Sequence, residues 1–439
     1  MKSVTVIGAG LAGSEAAWQL AERRVPVTLW EMKPERCTPA HERPDLFAEL
    51  VCSNSFRGRD LSNAVGLLKE ELERGGSLLM SVAAETRVPA GGALAVDRER
   101  FARGVTERLR AHSLINPVQH EARELPAEGS VLVATGPLTS ESLAAHLQAR
   151  TEREGLAFYD AIAPIVVGES LEMSELFTGS RYDKGDSADY LNSPLDEDAY
   201  YRFIDELLAA QKTSLKICES DSGPRFFPGC LPIEQVAAGG RMAPAFGPMK
   251  PVGLVCPRTG RRPFAVVQLR REDVPGSAYN LVGFQTRLVR SEQRRVLRLL
   301  PGLGRARFSR YGAVHRNTFL DAPRLLDERL RLVSDPRICF AGQITGVEGY
   351  VESIASGFLA GVSVAAELSA REWLAPPPTT ALGALLRLTR GTGGRYEPSN
   401  IRWDLFPPPA RKVRGRRERR RAMADRALAD FAGWWHQLR

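Results

Sequence analysis

The string Val6-Ile-Gly-Ala-Gly-Leu-Ala-Gly13 constrains this chain more than any other segment does. Before it stands a short apolar strand pattern, Ser3 to Gly8; after it, apolar residues at Ala12, Ala16, Leu20 and Ala21 take helical spacing, and Val25 to Glu31 reads as a second strand. Two parallel strands need a crossover between them, so residues 3–31 form a complete βαβ opening and the chain belongs to the α/β class, with helices packed on a parallel sheet. Each glycine of the Gly8-x-Gly10-x-x-Gly13 pattern has a job. Gly8 permits the tight turn, Gly10 lets backbone approach a pyrophosphate, and Gly13 lets helix and strand pack closely, while Ala9, Leu11 and Ala12 complete the loop whose helix N-terminus faces the phosphates. Glu31 ends the second strand, 18 residues after Gly13, where an acid binds ribose hydroxyls and repels a 2′-phosphate. The site is therefore expected to hold FAD or NAD rather than NADP.

The rest of the 439 residues exceeds what one hydrophobic core usually serves. A helix is expected over Asp97–Ala111, and Val131-Leu-Val-Ala-Thr-Gly136 reads as a third strand of the first sheet. Residues 158–314 then mix aromatic and β-branched runs with many turn signals, the texture of a mixed or antiparallel unit. The expected organisation is a discontinuous dinucleotide-binding domain over 1–157 and 315–370, an inserted mixed α+β substrate domain over 158–314, and a linker with a basic C-terminal segment over 371–439. Three consecutive prolines, Pro376 to Pro378, mark the linker. In the last segment Leu428, Phe431 and Trp435 are expected to share one helix face, opposite arginines.

Charge is concentrated at that end. Arg411, Lys412, Arg414, Arg416, Arg417, Arg419, Arg420 and Arg421 stand against Glu418 alone, a local excess of +7 in a chain of net charge +8. Such a block is either a solvated helix face or a footprint for an anionic polymer. Arginines from Arg287 to Arg310 extend the theme upstream. No apolar stretch reaches the roughly 18 residues that span a bilayer, and the first strand begins too early for a signal peptide, so a cytoplasmic protein without membrane association is expected. Nothing points to a protein partner.

Six cysteines lie far apart, with no CxxC pair and no His/Cys cluster at metal-ligand spacing, which excludes a dithiol redox motif and a zinc site. Cys52, in Ala48-Glu-Leu-Val-Cys-Ser-Asn-Ser-Phe56, follows closely on the nucleotide loop; Cys230 lies in a loop bracketed by Pro and Gly. Spacing alone leaves each open as a packed side chain or a reactive thiol.

Two later strings resemble the second and last elements of two-dinucleotide-fold flavoproteins: Val131 to Pro137, with Gly136, and Phe340 to Gly361, with Gly342, Gln343, Gly346 and Tyr350. That likeness favours FAD over NAD and a Rossmann-type flavoprotein fold. Such proteins commonly carry Gly-Asp at the last turn, where this chain has Gly342-Gln343, and no second intact GxGxxG is present. A longer set of strings, among them FAELVCSNSFR, NAVGLLKEEL, SRYDKG, GCLPIE, FGPMKPVGL, HRNTF and AGQITGVEGYVES, is similar to the folate- and FAD-dependent tRNA (uracil-5-)-methyltransferases, in order from Val6 to about Glu352. The resemblance implies FAD, methylenetetrahydrofolate as one-carbon donor, NADH or NADPH as reductant, and the T-arm of tRNA as the partner whose T-loop uridine is methylated. It also implies two functional cysteines, mapping onto Cys52 and Cys230. The chemistry explains the need: a thiolate adding to carbon 6 of uracil makes carbon 5 nucleophilic, and a base must later remove the carbon 5 proton. Cys52 is expected as nucleophile and Cys230 as base or assisting thiol. Lys250 could lower a thiol pKa or grip folate carboxylates, Tyr350 could stack on a pterin, His315 could bind substrate or be a satisfied loop histidine, and the basic residues Arg411, Lys412, Arg414, Arg416 and Arg417 could meet phosphate; each could equally be structural. The alternatives are a related, longer flavoprotein that modifies wobble uridines, and a non-catalytic nucleic-acid-binding flavoprotein.

Overall fold

A computed structural model describes residues 2–38, 40–151, 156–181, 189–214, 226, 230–391, 396–409, 411 and 413–438; the side chains of residues 156–158, 315 and 316 lie outside the description. The βαβ opening forms as the sequence demands, with strand Val4–Ile7, helix Leu11–Glu22 and strand Val27–Glu31. Val4–Ile7 is central in a six-stranded sheet ordered Arg331–Leu332, Asp335–Phe340, Ser130–Val133, Val4–Ile7, Val27–Glu31, Ile115–Gln119. All its pairings are parallel except the outermost, between Arg331–Leu332 and Asp335–Phe340. The Ile115–Gln119 strand was not foreseen, because its polar face and Pro117 weaken the strand pattern; at a sheet edge a missing N–H costs no ladder bond. The helix Arg98–Ala111 begins where expected, and the Asp97 carboxylate caps it by accepting from the Arg100 N–H at 3.0 Å.

Two helices pack on this sheet at backbone contact. A Cβ built on Gly357, within the long helix Tyr350–Leu368, would lie 2.1 Å from the Ala12 carbonyl oxygen of the first helix, and one on Gly361 would lie 2.8 Å from the Ala16 oxygen. Tyr350–Leu368 is also the one helix among the described residues long and apolar enough to cross a membrane, which corrects the expectation that no stretch reaches that length. It is 83% buried, however: a helix surrounded by protein is apolar on every side.

Residues between 165 and 310 build a second six-stranded sheet, antiparallel throughout, ordered Phe177–Thr178, Tyr190–Leu195, Ala265–Arg271, Ala278–Leu281, Ile165–Val167, Phe308–Arg310. Its apolar core runs from Val166 to Ala306, separate from the core of the first sheet. A two-stranded ribbon, Leu156–Ala161 against Val314–Phe319, pairs the chain entering this region with the chain leaving it.

The C-terminal residues close the first core. Met423, Ala424, Ala427, Phe431, Trp434 and Trp435 of the helix Arg416–Leu438 are buried in it, with Leu428 packed alongside. Helix Ala381–Thr389 joins the same core, and the buried Glu71 carboxylate accepts from its Ala381 and Leu382 N–H groups at 2.7 and 2.9 Å. Phe431→Ala should therefore cost about 3–5 kcal/mol of stability, read from the denaturant midpoint. A loss below about 1 kcal/mol would show that the helix does not share this core.

Candidate active site

A cleft of about 1040 Å³ opens along the first sheet's carboxyl edge. Gly8, Ala9, Gly10, Leu11, Ala12, Glu31, Gly136, Gly342, Gln343 and Tyr350 all line it. Gly8, at φ +98°, turns so tightly that a Cβ would lie 2.8 Å from the Ala134 oxygen, and a Cβ on Gly13 would lie 1.8 Å from the Gly8 oxygen. At Gly10 a Cβ would meet nothing within 4 Å, so this position leaves the mouth of the helix open to a ligand. The Glu31 carboxylate accepts from the Ala9 N–H at 2.9 Å and the Lys33 N–H at 3.0 Å, which fixes it at the cleft with lone pairs to spare for hydroxyl donors. This donor and acceptor set fits a dinucleotide with an unmodified ribose. Gly346 serves otherwise: its missing Cβ makes room for Tyr396, whose hydroxyl donates to the Thr345 oxygen at 2.6 Å.

Tyr350 links the cleft to the first cysteine. Its hydroxyl oxygen accepts from the Cys52 N–H at 2.7 Å and the Ser53 N–H at 3.1 Å. Arg98 holds the same segment from the other side by donating to the carbonyls of Leu50 and Cys52, its charge balanced by Glu272 at 2.6 Å. Asn54 completes the clamp by donating to Val96 and Arg271 and accepting from Arg270, at 2.8–2.9 Å. The backbone around Cys52 is thus tied to the long helix through Tyr350 and to the second sheet through Arg270 and Arg271.

Cys230 comes to the same place by another route. An isolated bridge between Tyr159 and Phe226 sets its loop beside the Leu156–Ala161 strand, and the two thiols meet as hydrogen-bond partners. That contact pushes the Cys52 thiol below its ordinary range, outweighing burial and the Asp160 charge, with Arg98 and Arg310 assisting. The same contact, then burial, pushes the Cys230 thiol far up. The proton between the two sulfurs is held on the Cys230 side, so Cys52 is the easier of the two thiols to ionise.

Two acids that sequence reasoning missed stand near the pair. Asp160, raised to about 6 by burial, accepts from Asn317 Nδ2 at 2.6 Å and has the Cys230 thiol and the Gln343 amide as neighbours. Glu348, pushed well above the carboxylate range by burial and then by Asp160, accepts from Gln343 Nε2 at 2.5 Å. The signal was present as an acid inside an apolar run, Phe158-Tyr-Asp-Ala-Ile162, a place where an ionised side chain needs a reason. Other expectations separate from the site. Lys250 does not line the cleft; it lies near the Ala265 end of the strand whose Arg271 end meets Asn54. His315 is placed by backbone register opposite Asp160, its side chain outside the described residues. Lys412 lies outside the described residues too, whereas Arg411, Arg414, Arg416 and Arg417 are exposed. The upstream arginines are largely spoken for: Arg295 pairs with Glu206 and Glu292, Arg305 with Glu172, Arg307 with Glu169 and Arg310 with Glu42.

Comparison with known proteins decides what this arrangement belongs to. The family model described as Glucose inhibited division protein A matches residues 3–372. The methylenetetrahydrofolate–tRNA-(uracil-5-)-methyltransferase TrmFO of Geobacter sulfurreducens is 56% identical over 433 residues, covering 98% of each chain. Its counterpart from Geotalea uraniireducens is 55% identical over 438 residues, covering 100% of this chain and 99% of the other. The chain belongs to the TrmFO family. Among solved structures, Aquifex aeolicus GidA superposes with a TM-score of 0.72 at 15% identity, covering 99% of this chain and 73% of that one, which establishes the shared fold. TrmFO membership agrees with the Rossmann-type cleft and with the full span of the match.

The shared proton gives a direct test. In Cys230→Ala, Cys52 loses the partner that lowers its pKa, so alkylation of Cys52 by iodoacetamide should need a higher pH than in the parent protein. An unshifted alkylation profile would show that the two sulfurs do not interact.

Proposed function

We propose that this protein methylates carbon 5 of a T-loop uridine in tRNA, with methylenetetrahydrofolate as carbon donor, FAD as resident cofactor and NADH or NADPH as reductant. The observation that carries the reading is the Cys52–Cys230 pair held at the end of a dinucleotide cleft by Tyr350, in a chain of the TrmFO family. FAD fits because Glu31 presents acceptors to ribose and the first helix presents unpaired N–H groups to a pyrophosphate. When bound and reduced, it supplies the hydride that turns a methylene into a methyl group, and a place for that carbon to wait.

The chain's own residues do the rest. A uracil ring enters beside Cys52, which requires the base to leave its stack in the folded T-arm. The Cys52 thiolate, formed because Cys230 keeps the shared proton, adds to carbon 6 and places electron density on carbon 5. Once carbon 5 has taken the methylene, its proton must leave to a base, for which Cys230 is the neighbouring candidate. That electron pair releases the methylene from its carrier, and as hydride turns the methylene into a methyl group Cys52 departs and the ring regains its double bond. The wobble-uridine alternative is disfavoured by the match to the Geobacter methyltransferase, 56% identical across 98% of both chains.

Purified, FAD-loaded protein given methylenetetrahydrofolate, NADPH and unmodified tRNA should form 5-methyluridine, detected by nucleoside analysis. Cys52→Ser should lower that rate at least about a thousand-fold. With tRNA carrying 5-fluorouridine, which has no carbon 5 proton to lose, a covalent complex should form through Cys52, identified by peptide mass spectrometry; linkage through Cys230 would reverse the roles of the two thiols.

RNA affinity is expected to draw on Arg411, Arg414, Arg416 and Arg417, exposed at and before the start of the C-terminal helix. Removing that helix would strip aromatic residues from the core, so charge-neutral substitution is the cleaner probe. Changing Arg414, Arg416 and Arg417 together to Gln should flatten the slope of log affinity against log salt by about 2. An unchanged slope places the phosphate contacts elsewhere.

A further inference from the structure

The two-thiol chemistry, taken alone, does not balance. With the resting proton on Cys230 and Cys52 bonded to the ring, Cys230 is a thiol and cannot accept the carbon 5 proton until its own has gone somewhere. A third group must take it. We propose that Asp160 is the relay residue that accepts the Cys230 proton and so converts Cys230 into the base of the methylation reaction. The inference rests on the function proposed above and specifies its proton path.

Geometry singles out this carboxylate. The ribbon of Leu156–Ala161 against Val314–Phe319 sets Asp160 two residues from the register position of Asn317, and the Tyr159–Phe226 bridge brings in the loop that carries Cys230. Asn317 Nδ2 occupies Asp160 Oδ2 at 2.6 Å. Oδ1 is buried and has no hydrogen bond of ordinary geometry among the described residues, while the Cys230 thiol and the Gln343 amide approach the carboxylate closely enough to favour its ionised form. A buried acceptor left open next to an S–H costs stability unless it is used. The charged and titratable groups around it are Cys52, Cys230 and Glu348 nearby, with Arg98 and Arg310 acting on Cys52. Glu348 is an unsuitable acceptor, since burial and Asp160 hold it toward its neutral form. Burial places Asp160 at about 6, so it is ionised at neutral pH and still basic enough to hold a proton.

The steps conserve atoms and charge. The Cys230 S–H bond breaks and its proton joins Asp160 Oδ1. The resulting thiolate takes the proton from carbon 5; the C–H electron pair re-forms the enolate, whose collapse expels the one-carbon carrier and leaves an exocyclic methylene on carbon 5. Hydride from reduced FAD would then add to that methylene, returning the double bond to carbons 5 and 6, breaking the Cys52–carbon 6 bond and restoring the Cys52 thiolate. The cycle ends with one extra proton on Asp160, released to solvent. This equals the proton that the uracil ring loses.

The test uses full-length, FAD-loaded enzyme with tRNA labelled by tritium at uridine carbon 5. In Asp160→Asn, addition by Cys52 persists while proton removal stops. Tritium release and 5-methyluridine should fall by about 100-fold or more, while a covalent enzyme–tRNA complex through Cys52 accumulates above the parent level. Asp160→Glu should recover part of the release rate. Product formation within about threefold of the parent, or loss of the covalent complex together with the product, would overturn the relay. Asn317→Ala keeps the carboxylate but removes a hydrogen bond to its charged form, so the acid limb of the rate profile should move to higher pH; a stationary limb would also overturn it. The parent enzyme in the same assay reports on the underlying function by itself, because absence of 5-methyluridine there would reject the methylation reading rather than the relay.

Discussion

The contact between the Leu11–Glu22 and Tyr350–Leu368 helices is the constraint on which the site depends. Gly357 and Gly361 let the second helix rest on the carbonyls of Ala12 and Ala16, where any side chain would hold the helices apart. That spacing sets the start of the long helix beside the nucleotide loop: the Gly342 N–H donates to Ser356 Oγ at 3.0 Å, and a Cβ on Gly342 would lie 2.8 Å from the Ala12 Cβ. Tyr350, the helix's first residue, then stands where its hydroxyl can receive the Cys52 and Ser53 N–H groups. One packing distance between two helices therefore sets both the floor of the cleft and the position of a thiol that is remote in sequence.

The charge arrangement around the thiols explains the departure at the last glycine turn. An acid is common there in flavoproteins of this architecture, but here the position faces Asp160 and Glu348, two carboxylates already raised by burial, Glu348 further by the Asp160 charge. A third acid would add repulsion in a place with little water to screen it. Gln343 instead donates its amide to Glu348 and stands beside Asp160, a neutral bridge where an acid would be a third like charge. The substitution follows from the acids, and the acids from the thiols.

What was legible in the sequence is what is local. The glycine loop, Glu31, the helix over Asp97–Ala111 and the apolar face of the C-terminal helix each reveal themselves within a few residues, because turn geometry and helical period are short-range rules. Cys52 and Cys230 were singled out only through resemblance; their meeting depends on a ribbon, an isolated bridge and an arginine clamp contributed by segments far apart in the chain. Asp160 and Glu348 escaped for the same reason, since a buried acid looks like any other acid until its neighbours are known. The arginines from Arg287 to Arg310 misled in the opposite direction: counted along the chain they suggest a basic surface, yet the acids that pair with Arg305, Arg307 and Arg310 lie more than a hundred residues away.

The C-terminal helix joins two properties that composition alone kept apart. Its first turns carry exposed arginines, while Phe431, Trp434 and Trp435 in its later turns are buried against the first core, with Arg23 stacked 5.2 Å from the Trp435 ring centre. The aromatic half acts as an anchor that holds the charged half in one orientation relative to the cleft. A flexible basic tail would lose conformational freedom on meeting an RNA backbone, and that loss subtracts from affinity. Charges on a docked helix have already lost that freedom on folding, so their attraction for phosphate carries less ordering cost at the moment of binding. In the proposed reaction the same rigidity would restrict which surface of a folded RNA can reach the thiols while its phosphates meet the arginines, so that a polymer would be selected by shape as well as by charge.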